Sequence, residues 1–141
     1  MSVLDVKLRP GSAEFERRRR AMESRLAEVR DREEKVRCNS ARARDRFRKR
    51  GALLPRERLE RLLDRGRAFL ELSALAGLEM HDDDGDRSAA GGGVIVGLGW
   101  ISGVRCVITA SDSGIKGGST TPMGLKKSLR AQQVALDNRL P

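Results

Sequence analysis

The loop at residues 113–120, SGIKGGST, places a lysine, adjacent glycines and hydroxyl side chains just before a predicted helix. Backbone N–H groups at a helix start lie at the positive end of the helix dipole, so such a loop suits an anion or a developing oxyanion. The lysine stands before the glycines, opposite to the order in a P-loop, which argues against nucleoside triphosphate hydrolysis. An anion site at residues 116–119 and a tight strand-to-helix connection both remain open.

An acidic run at residues 82–86, DDDGD, imitates the beginning of a calcium-binding loop. An EF-hand needs glycine at its sixth position and glutamate at its twelfth. This run has Arg87 and Gly93 there, so we expect no metal site. The single histidine, His81, has no second imidazole and no serine or cysteine partner pattern near it, so we expect a surface side chain without a catalytic role.

The net charge of +9 belongs to the first part of the chain. Residues 1–65 hold 21 of the 29 Lys and Arg residues and 12 of the 20 Asp and Glu residues, so the rest is neutral. A basic segment attracts acidic protein surfaces as well as nucleic acid. Nucleic acid is the weaker expectation, because an aromatic content of 3% offers few surfaces on which bases could stack.

The cysteines and the hydropathy pattern bear on the location of the protein. Cys38 and Cys106 are too far apart for a zinc site and too few for a disulfide framework, which favours a reducing compartment. The sequence contains no apolar run of about 18 residues, so we expect no membrane-spanning helix. These features predict a cytoplasmic protein without a membrane partner.

The elements that would position the loop follow from the hydrophobic pattern. Residues 12–50 predict one long helix between Ser12 as its cap and Gly51 as its end, and a shorter helix begins near Pro55. The long helix carries a narrow apolar stripe that repeats every seven residues and includes Met22, Val29 and Val36. We expect this stripe to need a partner surface.

The hydrophobic residues change from a helical to a strand-like period at about residue 94. Two runs of β-branched residues there flank a Ser-Gly turn, which predicts a β-hairpin at about residues 94–110. The glycines in GLGWISG, residues 97–103, fall short of a dinucleotide-binding pattern and indicate instead the close approach of another segment. A last helix is predicted at about 122–138, with Thr121 as its cap and with Leu125, Leu129 and Leu136 directed inward. The order of helices and strands predicts an α/β protein.

Three long stretches resemble one enzyme family in order and spacing. They are LLPRERLERLLDRGRAFLELSALAG at 53–77, AGGGVIVGLGWISGVRCVITASDSGIKGG at 90–118 and KKSLRAQQVALDNRLP at 126–141. They resemble the N-terminal part of the carboxyltransferase (β) subunit of biotin-dependent acyl-CoA carboxylases of the methylcrotonoyl-CoA, geranyl-CoA and propionyl-CoA carboxylase type. The resemblance begins at about residue 50.

The resemblance implies the start of a crotonase-like ββα spiral fold, preceded by a long and a short helix. Residues 1–50 would be a basic helical arm, and residues 51–141 an incomplete carboxyltransferase domain. The family moves a carboxyl group from carboxybiotin to an acyl-CoA, and backbone N–H groups hold the enolate oxygen. Carboxybiotin would come from a biotin-carrying α subunit within a homo- or hetero-oligomer, so this chain would bind no cofactor directly. Its implied CoA-binding residues are Lys116, Gly117, Gly118 and Ser119.

The resemblance also places the family's oxyanion-hole glycines after Pro141. We therefore expect a truncated or split subunit that has no catalytic residue of its own and is inactive alone. Ser119, Thr120 and Thr121 stand where the methylcrotonoyl type usually has aromatic residues, so the acyl group stays open. Two alternatives remain: a non-catalytic interaction or assembly module derived from the family, and a basic nucleic-acid-binding protein.

Overall fold

A computed structural model of the chain describes residues 9–80, 83 and 88–141. The chain divides into two compact units, Met1–Arg32 and Glu33–Pro141. The domain boundary expected at residue 51 stays a prediction. Within the described residues the order is α1 (Ala13–Ala41), α2 (Arg44–Lys49), α3 (Pro55–Leu62), β1 (Leu70–Glu71), β2 (Val94–Ile101), β3 (Val104–Ser111), a 3-10 turn (Lys116–Gly118) and α4 (Pro122–Asp137).

The described part of the first unit is the beginning of α1. Ser12 caps the helix as predicted, since its hydroxyl accepts a hydrogen bond from the backbone N–H of Phe15 at 3.2 Å. Arginines and glutamates three or four positions apart form ion pairs along this helix, for example Arg19 with Glu16 at 3.0 Å and Arg25 with Glu28 at 3.2 Å. Three large apolar side chains of this stretch are exposed: Met22, Leu26 and Val29.

The single helix predicted over residues 12–50 is wrong in its second part, because α1 ends at Ala41 and α2 follows separately. The buried Ser40 hydroxyl donates a hydrogen bond to Asp112 Oδ1 at 2.7 Å. A side chain at Gly114 would lie 2.6 Å from the Ser40 carbonyl oxygen, so the end of α1 packs tightly against the loop after β3. This long-range contact accompanies a helix end that no proline or glycine marks in the sequence.

The hairpin is confirmed. β2 and β3 pair antiparallel from Val94 opposite Ser111 to Ile101 opposite Val104, and β1 pairs antiparallel with the other edge of β2. The turn residues Ser102 and Gly103 have φ values of 51° and 79°, the left-handed conformation that a two-residue hairpin turn requires. The carboxylate of Asp64 accepts hydrogen bonds from both turn N–H groups, at 2.8 and 2.7 Å.

The core lies on the face of the sheet that α3 covers. Leu59 of α3 packs with Ile95 and Ile108, and all three side chains are buried. A Cβ added to Gly97 would lie 2.4 Å from the Phe69 ring. The glycines of β2 therefore allow a neighbouring segment to approach the strand, as the sequence predicted.

Helix α4 begins as predicted, with Thr121 as its cap and Pro122 at its first position. The predicted inward orientation of its leucines is wrong. Their exposed fractions are 52% for Leu125, 55% for Leu129 and 74% for Leu136. The buried residues of α4 are instead Gly124, Lys127 and Ala131, so the helix packs by a face of small residues and one lysine.

Candidate functional site

A cleft of about 280 Å³ lies between the beginning of α4 and the sheet. Residues opposite each other in antiparallel strands share a face of the sheet. The cleft therefore lies on the face of Val94 and Ser111, away from the face of Ile95 and Ile108 that α3 covers. It is lined by residues 92–94, 118–120 and 124–125 and by Thr109, Ser111 and Ser128, so hydroxyls and peptide groups lie there beside the apolar side chains of Val94 and Leu125.

Two of three consecutive glycines, Gly92 and Gly93, line one wall of the cleft, and Gly91 precedes them. Gly91, Gly92 and Gly93 have φ values of 90°, 74° and 70°, a conformation that other residues rarely adopt. A Cβ on Gly92 would lie 2.9 Å from both the Cα and the nitrogen of Gly124, so this wall lies directly on the backbone of α4. The wall is held at its end by the Asp112 N–H, which donates to the Gly93 carbonyl at 2.9 Å. We call residues 91–93 the glycine wall.

The beginning of α4 uses its polar groups within the protein. The Thr121 hydroxyl accepts a hydrogen bond from the Gly124 N–H and donates one to the Gly92 carbonyl, each at 3.0 Å. Pro122 has no N–H group to offer. The helix start is therefore fixed to the glycine wall, and fewer of its N–H groups point toward a ligand than the sequence predicted.

The loop predicted to bind CoA lies partly in the cleft. Gly118 and Ser119 line it, whereas Lys116 and Gly117 are exposed beside it and are not among the lining residues. The Gly118 N–H donates to the Ile115 carbonyl at 2.9 Å, and the Ser119 hydroxyl donates to the Lys116 carbonyl at 2.9 Å. The loop is therefore a tight connection with internal hydrogen bonds, and its role in CoA binding stays a prediction.

A cluster of charged residues that are partly buried, with one fully buried lysine, adjoins the glycine wall and was not predicted. Arg56 donates to both carboxylate oxygens of Glu71, at 2.8 and 2.9 Å. Burial opposes the charge of each group. The ion pair outweighs this effect, so the pKa of Arg56 is raised and that of Glu71 is lowered. Arg37 lies 4.0 Å from the same carboxylate.

Lys127 of α4 belongs to this cluster and is 5% exposed. Its Nζ donates a hydrogen bond to the Gly91 carbonyl at 3.3 Å. The pKa of Lys127 is lowered from 10.5 to about 8, chiefly by burial; Glu71 and Asp112 raise it and Arg56 lowers it, but burial outweighs them. No pattern in the sequence around Lys127 indicates that this lysine is buried. It was therefore not among the predicted site residues.

A larger cleft of about 480 Å³ lies elsewhere, between α3 and β3. Its lining includes Leu59, Leu62 and Ile108, with Arg58 as the charged side chain. The predicted loop does not contribute to it. Since the larger cleft contains neither the glycine wall nor the predicted loop, the smaller cleft is the better candidate for the predicted ligand site.

The predictions about metals and membranes concern several residues that lie outside the described part. His81 and residues 82 and 84–86 of the acidic run are among them. In residues 9–80, 83 and 88–141, no three His, Cys, Asp or Glu side chains come together as metal ligands would. In the same ranges no helix is long and apolar enough to cross a membrane. Both cysteines are free thiols, Cys38 being exposed and Cys106 half-buried.

The part of the chain that forms the sheet, the cleft and α4 matches a known protein family. The model of the carboxyl transferase domain matches residues 46–141. The chain belongs to the carboxyl transferase domain family. The resemblance of the sequence to acyl-CoA carboxylase β subunits is thereby confirmed.

Curated relatives in the carboxyl transferase family include β chains of two carboxylases. The chain is 41% identical over 99% of its length to a probable mitochondrial methylcrotonoyl-CoA carboxylase β chain of Drosophila melanogaster, covering 24% of that protein. It is 54% identical over 71% of its length to a biotin-dependent 3-methylcrotonyl-coenzyme A carboxylase β1 subunit of Mycobacterium tuberculosis, covering 18% of it. The chain thus spans about a quarter or less of the curated relatives it matches.

Solved structures of carboxyl transferase family members have the same fold. The β subunit of P. aeruginosa geranyl-CoA carboxylase matches 99% of the chain with a TM-score of 0.86 and 50% identity, and the match covers 26% of that subunit. A transcarboxylase 12S structure with methylmalonyl-coenzyme A bound matches 83% of the chain with a TM-score of 0.68 and 25% identity, covering 23% of that chain. The α/β architecture described above is therefore of the crotonase-like type expected for these carboxyltransferases.

Proposed function

We propose that the chain contributes to a carboxyltransferase (β) subunit that transfers a carboxyl group from carboxybiotin to an acyl-CoA. The observation that carries this proposal is the carboxyl transferase match over residues 46–141, which contains both the cleft and the glycine wall. Because the chain spans about a quarter of its relatives, we expect turnover only together with the rest of such a subunit. The chain alone should be inactive.

The acyl-CoA would enter the cleft beside the glycine wall. Ligand pockets usually measure roughly 300 to 1,000 Å³, so a cleft of about 280 Å³ suits only part of an acyl-CoA, such as the acyl thioester with the end of the pantetheine arm. Peptide groups near Gly118 and Ser119 would contact this part. The exposed ammonium of Lys116 would face more distant anionic groups of the ligand.

The relatives indicate the chemical class of the acyl group. The names of the matched proteins mention methylcrotonoyl-CoA, geranyl-CoA and methylmalonyl-coenzyme A, which are branched acyl thioesters. Ser119 and Thr120 are small residues at the cleft and leave room for a branched chain. We propose a branched acyl-CoA as the substrate class.

The proposed partners are a biotin-carrying α subunit and further β subunits. Carboxybiotin arrives on the α subunit and supplies the carboxyl group, and no residue of this chain is assigned to hold it. We place the complex in the cytoplasm, where free thiols such as Cys38 remain reduced. Several arginines of α1, such as Arg19 and Arg25, are paired with glutamates of the same helix, so nucleic acid is not part of the proposal.

One alternative has its own observation. The exposed leucines of α4 would also suit an assembly module that binds protein without taking part in catalysis. A chimera separates the two functions. The matching quarter of the P. aeruginosa geranyl-CoA carboxylase β subunit is replaced by this chain, and carboxylation of geranyl-CoA is measured with the biotin-carrying subunit present.

We expect the chimera to assemble and to turn over geranyl-CoA above background. A chimera carrying Gly92→Ala should lose most of this activity, whereas one carrying the exposed change Lys126→Met should keep it. A chimera that assembles normally but shows no turnover would overturn the proposed catalytic function and favour the assembly module.

A further inference from the structure

The buried ammonium of Lys127 is an unusual feature of α4. Lysine is almost never fully buried unless its charge is compensated. The groups that face it come from several elements: Glu71 of β1, Arg56 of α3 and Asp112 after β3. The two carboxylates compensate the ammonium, although each also has another partner, Arg56 for Glu71 and Ser40 for Asp112.

Within the described part of the chain, Lys127 donates its hydrogen bond to the glycine wall. Long side chains on a helix point back toward its N-terminus. Lys127 therefore reaches back to the Gly91 carbonyl, at 3.3 Å, while Thr121 of the same helix binds the Gly92 carbonyl, at 3.0 Å. Two side chains of α4 thus hold two successive peptide groups.

The glycine wall needs such support because it has no side chains of its own. Its left-handed residues gain no stabilisation from side-chain packing, and glycine loses more conformational freedom on folding than other residues. Gly92 and Gly93 line the cleft, whereas Lys127 does not. A change at Lys127 would therefore reach the cleft through the residues that Lys127 holds or adjoins, namely the glycine wall and the lining residues of α4 such as Ser128.

We propose that Lys127 is a positioning residue that fixes the peptide groups of residues 91–93 in the geometry that the cleft needs for its ligand. The inference rests on the proposed function for the identity of that ligand, a branched acyl-CoA. Lys127 itself would not touch the substrate. Its charge strengthens the bond to the wall, because a hydrogen bond from an ionised donor is about twice as strong as a neutral one.

Deprotonation should therefore loosen the wall. Since burial brings the pKa of Lys127 to about 8, the charged form is lost at mildly alkaline pH. The neighbouring Lys126 is exposed and provides a matched control one position away. A variant of Lys127 should alter the cleft, whereas the same variant of Lys126 should leave it unchanged.

The test compares the chain with its K127M, K127R and K126M variants. Affinity for 3-methylcrotonoyl-CoA is measured by calorimetry, and the amide resonances of Gly92 and Gly93 are followed by NMR between pH 6 and 10. We expect about tenfold weaker binding for K127M, partial recovery for K127R and no change for K126M. The two glycine resonances should titrate near pH 8 in the wild-type chain and in K126M but not in K127M.

Wild-type affinity in K127M, or glycine resonances that titrate in K127M as they do in the wild type, would overturn the inference. If the wild-type chain binds no 3-methylcrotonoyl-CoA, the part of the proposal that places an acyl-CoA at the cleft of the isolated chain fails, independently of Lys127. The glycine titration then still decides whether Lys127 holds the wall: its loss in K127M supports that role and its persistence refutes it.

Discussion

Arg56 of α3 and Glu71 of β1 form a two-pronged ion pair, with N–O distances of 2.8 and 2.9 Å, that joins the helix before the sheet to the edge strand. The side chain of Glu71 is 10% exposed. Arg56 Nε is buried and has no hydrogen-bond partner among the described residues. The pair therefore depends on two good hydrogen bonds to offset the desolvation of both charges.

Removing one member of this pair should leave the other buried without its partner. We expect Glu71→Gln to lower the free energy of unfolding by about 3 kcal/mol. The matched control, Glu28→Gln, breaks an exposed ion pair with Arg25 and should lower it by less than about 0.5 kcal/mol. Urea denaturation measures both. Equal effects of the two variants would show that the buried pair contributes no more than a surface pair.

The contact of Gly92 with α4 predicts a large effect of a single methyl group. Gly92→Ala would place a Cβ 2.9 Å from the Gly124 backbone, in addition to the strain of its positive φ. We expect a loss of more than about 3 kcal/mol of unfolding free energy. Gly117→Ala carries similar strain but meets no atom within 4 Å, so it should cost about 1 to 2 kcal/mol. Thermal denaturation of both variants isolates the clash, and similar melting temperatures would contradict it.

The buried ammonium predicts a rise of stability with pH. The folded pKa of Lys127, about 8, lies below its ordinary value of 10.5, so between these values the unfolded chain binds more protons. The free energy of unfolding should therefore increase through this window, by at most about 1.4 kcal/mol per pH unit. Urea denaturation at pH 7.5 and 9.5 should show the increase in the wild type and in Lys126→Met. The same increase in Lys127→Met would rule out Lys127 as its source.

The exposed leucines of α4 predict self-association of the isolated chain. Leu129 and Leu136 lie on the solvent side of the helix, and contiguous exposed apolar surface favours association. The net charge of +9 opposes it at low ionic strength, but the screening length falls to about 8 Å at physiological salt. Sedimentation velocity should show association that rises with salt. The double variant Leu129→Gln and Leu136→Gln should remain monomeric, and a wild-type monomer at every salt concentration would contradict the prediction.

Much of the fold could be predicted because its signals are local. The Ser102–Gly103 turn lies between two β-branched runs, and Thr121 with Pro122 marks the start of α4. The end of α1 could not be predicted, because it depends on the bond between Ser40 and Asp112, which are 72 positions apart. A period of 3.6 identifies a helix but does not decide which face packs when the buried face consists of small residues, and this is why the leucines were placed inward.

The candidate site was predicted only in part for the same reason. The glycine-rich loop gave Gly118 and Ser119, which line the cleft. The glycine wall was not predicted as part of the site, because glycines without periodicity look alike in sequence whether they form a turn or a wall against a helix. Lys127 was missed because its burial depends on Glu71, Asp112 and Gly91, which are distant in sequence.

The most direct test of the central claim is a titration of the chain with 3-methylcrotonoyl-CoA followed by two-dimensional NMR of its backbone amides. We predict saturable shifts at Gly92, Gly93, Gly118 and Ser119, the residues that line the smaller cleft. Residues of the larger cleft, such as Arg58 and Leu62, should not shift. No saturable shift at millimolar ligand, or shifts confined to the larger cleft, would contradict an acyl-CoA site between the glycine wall and α4.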